Sequence, residues 1–141
     1  MTALIAGAAV GIGLTTFVYA EGAAYLSDDP NACANCHVMQ AQLDGWSRSS
    51  HHTAATCNDC HLPHDFAGRW LVKAGNGVRH SFAFTTGAFH EPIRIGDGNR
   101  AVVERACRSC HAPIVDAIDH PGTATGALAC ARCHPDVGHA H

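Results

Sequence analysis

One pentapeptide, C-x-x-C-H, occurs four times in this chain and constrains its structure more than any other feature. The four copies begin at Cys33, Cys57, Cys107 and Cys130, and a histidine follows each cysteine pair directly. This spacing is the attachment signature of c-type haem. Two thioethers can reach the vinyl groups on one porphyrin edge, while the next side chain turns back towards the iron. The sequence therefore predicts four covalently attached haems.

The use of cysteine supports this interpretation. All eight cysteines belong to the four motifs, which leaves none for a structural disulfide: Cys33, Cys36, Cys57, Cys60, Cys107, Cys110, Cys130 and Cys133. Zinc sites and thiol redox sites also use C-x-x-C pairs, so one isolated copy would be a weak signal. A zinc protein is the alternative, but zinc binding does not require a histidine after every pair.

The chain length limits how the haems can be buried. The 141 residues are enough for one domain, but beyond the first 20 only roughly 30 residues remain for each haem, so the haems must supply most of the core. We therefore expect a mainly α-helical fold with much irregular loop and little or no sheet. The net charge is −3, and haem propionates would add negative charge, which argues against a nucleic-acid partner.

An uncharged apolar segment, TALIAGAAVGIGLTTFVYA, occupies residues 2–20. As a helix it would be about 28 Å long, close to the thickness of a bilayer core. A cleaved secretory signal is the alternative, because Val18-Tyr19-Ala20 resembles a cleavage site. We predict a transmembrane anchor at residues 1–22 and a tetrahaem cytochrome c domain at residues 23–141. Thioether attachment of haem occurs outside the bacterial cytoplasmic (inner) membrane, so this domain should face the periplasm.

The long insertion between the second and third motifs, residues 62–106, contains a regular apolar pattern. Its members recur every four residues: Phe66, Trp70, Ala74, Val78 and Phe82. This spacing predicts one face of a helix, although Gly75 and Gly77 weaken the prediction. Two interpretations remain open. The helix could face the core and cover a haem, or it could lie beside the anchor with its aromatic and basic side chains at headgroup depth.

Four six-coordinate haems need eight axial ligands, and the motifs supply four histidines: His37, His61, His111 and His134. Met39 and Lys73 are further candidates, as are the eight other histidines: His51, His52, His64, His80, His90, His120, His139 and His141. Many histidines near a haem bond a propionate instead, so spacing alone does not select among them. The choice matters because methionine ligation raises the reduction potential relative to two histidines.

The chain resembles the NapC/NrfH family of membrane-anchored quinol dehydrogenases, and within it the branch that serves cytochrome c nitrite reductase. The resemblance covers essentially the whole chain. Its marks are the anchor, C-x-x-C-H-x-M at the first motif, Trp46-x-x-Ser49-x-x-His52, Cys57 to His64, Lys73-Ala74, Thr86-Gly87, Glu91-Pro92-Ile93, and His139 five residues after His134. It implies oxidation of quinol, such as menaquinol, and electron transfer to a periplasmic multihaem nitrite reductase in a hetero-oligomer.

The resemblance also implies roles for individual residues. The ligands that it implies, in motif order, are Met39 rather than His37, His61, His111 with His139, and His134 with His52. The sixth ligand of the second haem would be a lysine of the partner subunit. Where the family often has an aspartate near the first haem, this chain has His80. His80 would either ligate that iron or accept a proton from quinol held by Lys73.

Other functions fit the motifs less well. A terminal reductase would need an open haem surrounded by basic residues, and the chain has no C-x-x-C-K motif and a net charge of −3. A quinol dehydrogenase for a different periplasmic reductase, of nitrate or an N-oxide, is an alternative. A relay cytochrome without a quinol site is another. The sequence leaves open which quinone donates the electrons.

Overall fold

The structure is a computed structural model that describes residues 1–118 and 129–139. Its helices are α1 (Thr2–Tyr19), α2 (Pro30–Cys33), α3 (Gln40–Ser47), α4 (Cys57–His61), α5 (Phe66–Thr86), α6 (Asp97–Cys110), α7 (Ala112–Ile118) and α8 (Cys130–Cys133). Two 3₁₀ turns lie at Gly22–Leu26 and His37–Met39. No strand occurs in either described range. The mainly α-helical fold predicted from the sequence is confirmed.

Helix α1 is the apolar N-terminal segment. Its mean hydropathy is 1.7, and none of it is buried against the rest of the chain. Among the described residues it is the one helix long and apolar enough to cross a membrane. The chain turns sharply where α1 ends. Glu21 has a left-handed backbone with φ of 51°, and Gly22 lies so close to the ring of Phe17 that a side chain there would collide with it.

Acidic side chains shape the linker from α1 to the first motif. Asp29 is the N-cap of α2, and its carboxylate accepts a hydrogen bond from the Asn31 backbone N–H at 2.9 Å. The Glu21 carboxylate accepts a hydrogen bond from Asn35 Nδ2 at 2.7 Å. Since Asn35 lies inside the first C-x-x-C-H copy, this bond connects that motif to Glu21, just after the end of α1.

Helix α5 is the longest, with 21 residues. Asp65 caps its N-terminus and accepts a hydrogen bond from the Gly68 N–H at 2.7 Å. Gly87 ends it with φ of 70°, which glycine adopts without strain. The helix predicted from the four-residue spacing is confirmed, and it continues through Gly75 and Gly77. The caps at Asp65 and Gly87 define its two ends, and the poor helix propensity of the two glycines does not break the helix between them.

The buried part of the polypeptide is small. Among the described residues, the buried hydrophobic side chains are Leu62, Val102 and Ala106. Val102 and Ala106 lie four residues apart on one face of α6, and α6 packs against α4, which Leu62 directly follows. This small peptide core matches the expectation for a chain that attaches four haems.

Candidate haem and quinol sites

The C-x-x-C-H copies, motifs 1 to 4 in chain order, each lie in or beside a helical turn. Motif 1 starts at the last residue of α2, motif 2 is α4, motif 3 ends α6, and motif 4 begins with α8. Residues three apart lie on the same side of a helix. In motifs 2, 3 and 4 both cysteines lie within one helix, so their two thiols point in one direction, as two thioether bonds to one porphyrin edge require. The donor set fits covalent haem c.

The thiols of successive motifs are neighbours in space. The Cys33 thiol of motif 1 hydrogen-bonds with the Cys57 thiol of motif 2, and this bond lowers the pKa of Cys33. Cys107 of motif 3 interacts electrostatically with both Cys60 of motif 2 and Cys130 of motif 4. Burial, followed by the charge of Cys130, raises the pKa of Cys107 to about 11. The motifs thus adjoin one another in the order 1, 2, 3, 4.

Glu104 connects α6 to motif 4. Its carboxylate accepts hydrogen bonds from the backbone N–H groups of Cys130, at 2.7 Å, and Ala131, at 3.1 Å. These donors lie in the first turn of α8 and have no partner within that helix. A carboxylate in this position also complements the positive end of the helix. Sequence reasoning missed Glu104, because it lies 26 residues from Cys130 and no local pattern connects them.

Asp28 joins the linker after α1 to both motif 2 and α5. Its Oδ1 accepts a hydrogen bond from Asn58 Nδ2 at 2.6 Å and pairs with the Arg69 guanidinium. Lys73 Nζ lies 3.6 Å from the same oxygen. The hydrogen bond from Asn58, then the charge of Arg69, holds the pKa of Asp28 below its ordinary value. Asp28 was also missed, because Asn58 and Arg69 are 30 and 41 residues away.

Lys73, which the sequence had singled out, is buried beside motif 1 and is only 5% exposed. Its Nζ donates a hydrogen bond to the Ser27 carbonyl at 3.1 Å and lies 5.5 Å from the centre of the Trp70 ring. Its charge adds to the effect of the Cys57 hydrogen bond in lowering the pKa of Cys33. The structure therefore brings Lys73 to motif 1 at the point where the chain leaves α1.

His80 lies on the same side of α5 as Lys73, because seven residues correspond to nearly two helical turns. Burial, followed by the charge of Arg79, lowers the pKa of His80 below its ordinary value. The imidazole is therefore neutral at pH 7 and able to accept a proton. Along one side of α5 the chain thus places an ammonium donor and a neutral imidazole two turns apart.

Two pairs of imidazole rings meet from distant parts of the chain. The ring centres of His51 and His111 are 6.0 Å apart, and those of His61 and His139 are 6.2 Å apart with nearly parallel planes. His51 Nδ1 lies 3.0 Å from the Val137 carbonyl. Such a bond orients a ligating histidine and leaves Nε2 for the metal. Burial, followed by His139, lowers the pKa of His61 to about 4, which favours the neutral form that binds metals.

His52, the ligand that the resemblance implies, has a different environment from the adjacent His51. Its side chain is exposed, and its ring contacts Trp46 with the ring centres 4.7 Å apart. Trp46 in turn donates from Nε1 to the Ala55 carbonyl at 2.9 Å. Sequence reasoning did not single out His51, because adjacent histidines in a loop differ by one position and no periodic pattern selects between them.

The other candidate ligands are distributed as follows. His64 Nε2 lies 3.0 Å from the Asp59 carbonyl, so that ring is held close to motif 2. In the 3₁₀ turn after Cys36, His37 is exposed and Met39 is half-buried. Exposed side chains are also found at His90, His111 and His134. The candidates His120 and His141 lie outside the described residues.

Known proteins resemble this chain over nearly its full length. The NapC/NirT cytochrome c family, N-terminal region, matches residues 1–141. The cytochrome c-type protein NrfH of Wolinella succinogenes is 37% identical, over 93% of this chain and 81% of that protein. The cytochrome c nitrite reductase subunit NrfH of Nitratidesulfovibrio vulgaris is 28% identical, over 96% and 82%. A chain in the crystal structure of the cytochrome c nitrite reductase NrfHA complex bound to the HQNO inhibitor has a TM-score of 0.69 at 26% identity, over 97% of this chain and 90% of that chain.

Proposed function

The chain belongs to the NapC/NirT cytochrome c family, and from this we propose that it is a membrane-anchored tetrahaem cytochrome that oxidises quinol and passes the electrons to a periplasmic multihaem nitrite reductase. The relatives named NrfH and the NrfHA complex support this choice of partner. The observation that carries the proposal is the position of Lys73, buried beside motif 1 where the chain leaves α1. A quinol that approaches from the membrane would meet this motif first.

Haem c is the cofactor of the family, and the four motifs support a count of four. When bound, the haems supply centres that accept one electron at a time. We propose Met39 for motif 1 in place of His37, as the resemblance implies; both lie in the 3₁₀ turn His37–Met39. For motif 4 we propose His134 with His51 in place of His52. The hydrogen bond of His51 to Val137, three residues after His134, supports this exchange.

Motif 2 is the proposed contact with the reductase. His61 would ligate its haem, and a lysine of the reductase large subunit would complete the coordination. His64 is a poor rival, because its Nε2 lies 3.0 Å from the Asp59 carbonyl. His139, whose ring lies against that of His61, would serve the adjacent haem of motif 3 together with His111.

The residues of α5 suggest how quinol is handled. An ammonium group has three N–H donors; the Ser27 carbonyl accepts from Lys73, and Asp28 lies near its charge. A remaining N–H of Lys73 can therefore donate a hydrogen bond to a quinol oxygen. Oxidation of quinol to quinone releases two electrons and two protons. His80, neutral and partly exposed, would take each proton in turn from the quinol hydroxyl and release it to the periplasm.

The membrane arrangement follows from α1. Its length and hydropathy suit an anchor, and the relationship to NrfH fits an anchored cytochrome. We propose residues 1–22 as the anchor in the bacterial cytoplasmic membrane and residues 23–141 as the haem domain in the periplasm, bound to the reductase in a hetero-oligomer.

Separate substitution of Lys73 and His80 tests the proposal. In the holoprotein, His80→Ala should slow haem reduction by a menaquinol analogue by about 10²-fold or more, as for loss of a general base. Lys73→Ala should slow it by roughly 10-fold or more, as for a lost charged hydrogen bond. Dithionite, which does not use the site, should reduce all variants at the parent rate, and Asp116→Asn on exposed α7 is the matched control. Parent-like quinol rates in both variants would place the quinol pocket elsewhere.

A further inference from the structure

Exposed large apolar side chains lie around much of α5, including Phe66 and Phe84 near the side of Lys73. We call the side of Lys73, which contacts Ser27, the inner side. Leu71, Val78 and Phe82 lie roughly 140–180° around the helix from Lys73, at about 100° per residue. Their exposed fractions are 74%, 74% and 66%. We call these three residues the outer face of α5; it presents large apolar side chains away from the chain.

The position of α5 relative to the anchor is set by three contacts. Gly77 lies against the Tyr25 ring: a Cβ atom added at Gly77 would be 3.3 Å from Tyr25 Cε1. Lys73 Nζ bonds the Ser27 carbonyl at 3.1 Å, and Arg69 pairs with Asp28. All three partners belong to residues 25–28, only a few positions after α1 ends at Tyr19. Helix α5 is therefore packed against the chain where it emerges from the bilayer.

The haem motifs that approach α5 do so from its inner side. The charge of Lys73 acts on Cys33 of motif 1. Asn58 of motif 2 donates to the same Asp28 oxygen that pairs with Arg69. The outer face points away from these contacts, and α5 contacts residues 25–28 shortly after the end of α1, whose large apolar side chains are also exposed. Lipid is therefore the occupant that the position of α5 beside the end of the apolar helix α1 favours.

We propose that the outer face of α5 lies in the boundary between lipid headgroups and acyl chains, so that α5 is an in-plane helix and a second membrane contact. Such helices bury their apolar face about 5–10 Å deep. Towards the C-terminus of α5, the Thr85 hydroxyl donates to the Ser81 carbonyl at 2.7 Å, so this polar group is satisfied within the helix. The proposal depends on α1 lying in a bilayer and not on quinol chemistry.

Site-directed spin labelling can test this contact. The eight native cysteines are bound to haem in the holoprotein, so one introduced cysteine carries the only label. The labelled variants are Leu71→Cys, Val78→Cys and Phe82→Cys, with Ala101→Cys on the exposed surface of α6 as the control. Each holoprotein is placed in nanodiscs of anionic phospholipid, and intact mass confirms that all its haems are attached. Collision of the nitroxide with oxygen and with a water-soluble nickel chelate is then measured.

At the three outer-face positions, oxygen collisions should exceed nickel collisions, and at Ala101 the order should be reversed. Nickel collisions that dominate at all four positions would show that the outer face lies in water and would overturn the proposal. Exclusion of both reagents from the outer face would show a protein or porphyrin cover and would overturn it as well. Neither result would alter the Lys73 and His80 measurements, which test the quinol site separately.

Discussion

Asp28 carries the negative charge that faces both Arg69 and Lys73. Asp28→Asn keeps the side-chain shape and an acceptor oxygen but removes that charge, so Lys73 would retain its bond to Ser27 and its position over the Trp70 ring without a carboxylate nearby. Because the Asp28 side chain is 57% exposed, the free energy of unfolding should fall by less than about 1 kcal/mol. The KM for a menaquinol analogue should rise, while the rate of reduction by dithionite remains unchanged. The control Asp116→Asn should keep the parent values of both. A variant that unfolds earlier but keeps its KM would limit Asp28 to a structural role.

The pKa of His80 predicts a pH profile for quinol oxidation. Burial and the charge of Arg79 lower this pKa below its ordinary value of about 6.5, so the proton-accepting neutral form persists into mildly acidic solution. The rate of haem reduction by quinol should be level near pH 7 and fall only as the pH drops through the lowered pKa. Arg79→Gln removes the neighbouring positive charge, so the fall should begin at a higher pH. An unchanged profile in Arg79→Gln would exclude His80 as the titrating base.

The choice between His51 and His52 can be decided by spectroscopy. His51 reaches both His111 and the Val137 carbonyl, whereas His52 is exposed against Trp46. His51→Ala should therefore leave covalent attachment intact and add a high-spin haem signal, because one iron loses an axial ligand. His52→Ala should keep the parent low-spin spectrum. The opposite pair of spectra would restore His52 as the ligand.

At the scale of elements, Glu104 is the link between α6 and α8. Glu104→Ala leaves the Cys130 and Ala131 N–H groups without this acceptor, and the loss of such a cap costs about 0.5–2 kcal/mol. We expect a lower unfolding temperature and easier local opening around motif 4. Hydrogen exchange of the α8 amides measures this opening. Asp136→Ala, at an exposed position after motif 4, is the matched control. Equal exchange in the two variants would show that Glu104 does not hold α8.

The elements also show which features the sequence could predict. The haem motifs and α5 were predictable because each depends on spacing within a few residues. The contacts that bring them together were not. Lys73 and Ser27 are 46 residues apart, and His51 and Val137 are 86 apart, so no periodic pattern connects either pair. Periodicity also defines a face of α5 without naming its neighbour, so the sequence left open whether this face meets the core or the membrane.

At the scale of the whole molecule, the motifs form a series that begins at the anchor. A hydrogen bond between thiols joins motif 1 to motif 2, and the Cys107 thiol of motif 3 lies within electrostatic range of thiols in motifs 2 and 4. Helix α6 supports much of this series, because it packs against both α4 and α8 and ends in motif 3. The proposed electron transfer would follow this series from motif 1, with motif 2 as the proposed contact with the reductase.

That contact predicts a change in coordination when the complex forms. His61 would supply one axial ligand of motif 2, and His64 is held at the Asp59 carbonyl, so the isolated chain should contain a haem in motif 2 that lacks its sixth ligand. Its spectrum should show a high-spin component that converts to low spin when the reductase large subunit is added. A reductase variant in which the ligating lysine is replaced by alanine should bind without this conversion. If motif 2 is already low-spin in the isolated chain and His139→Ala makes it high-spin, then His139 rather than the partner's lysine is the ligand, as the near-parallel rings of His61 and His139 would allow.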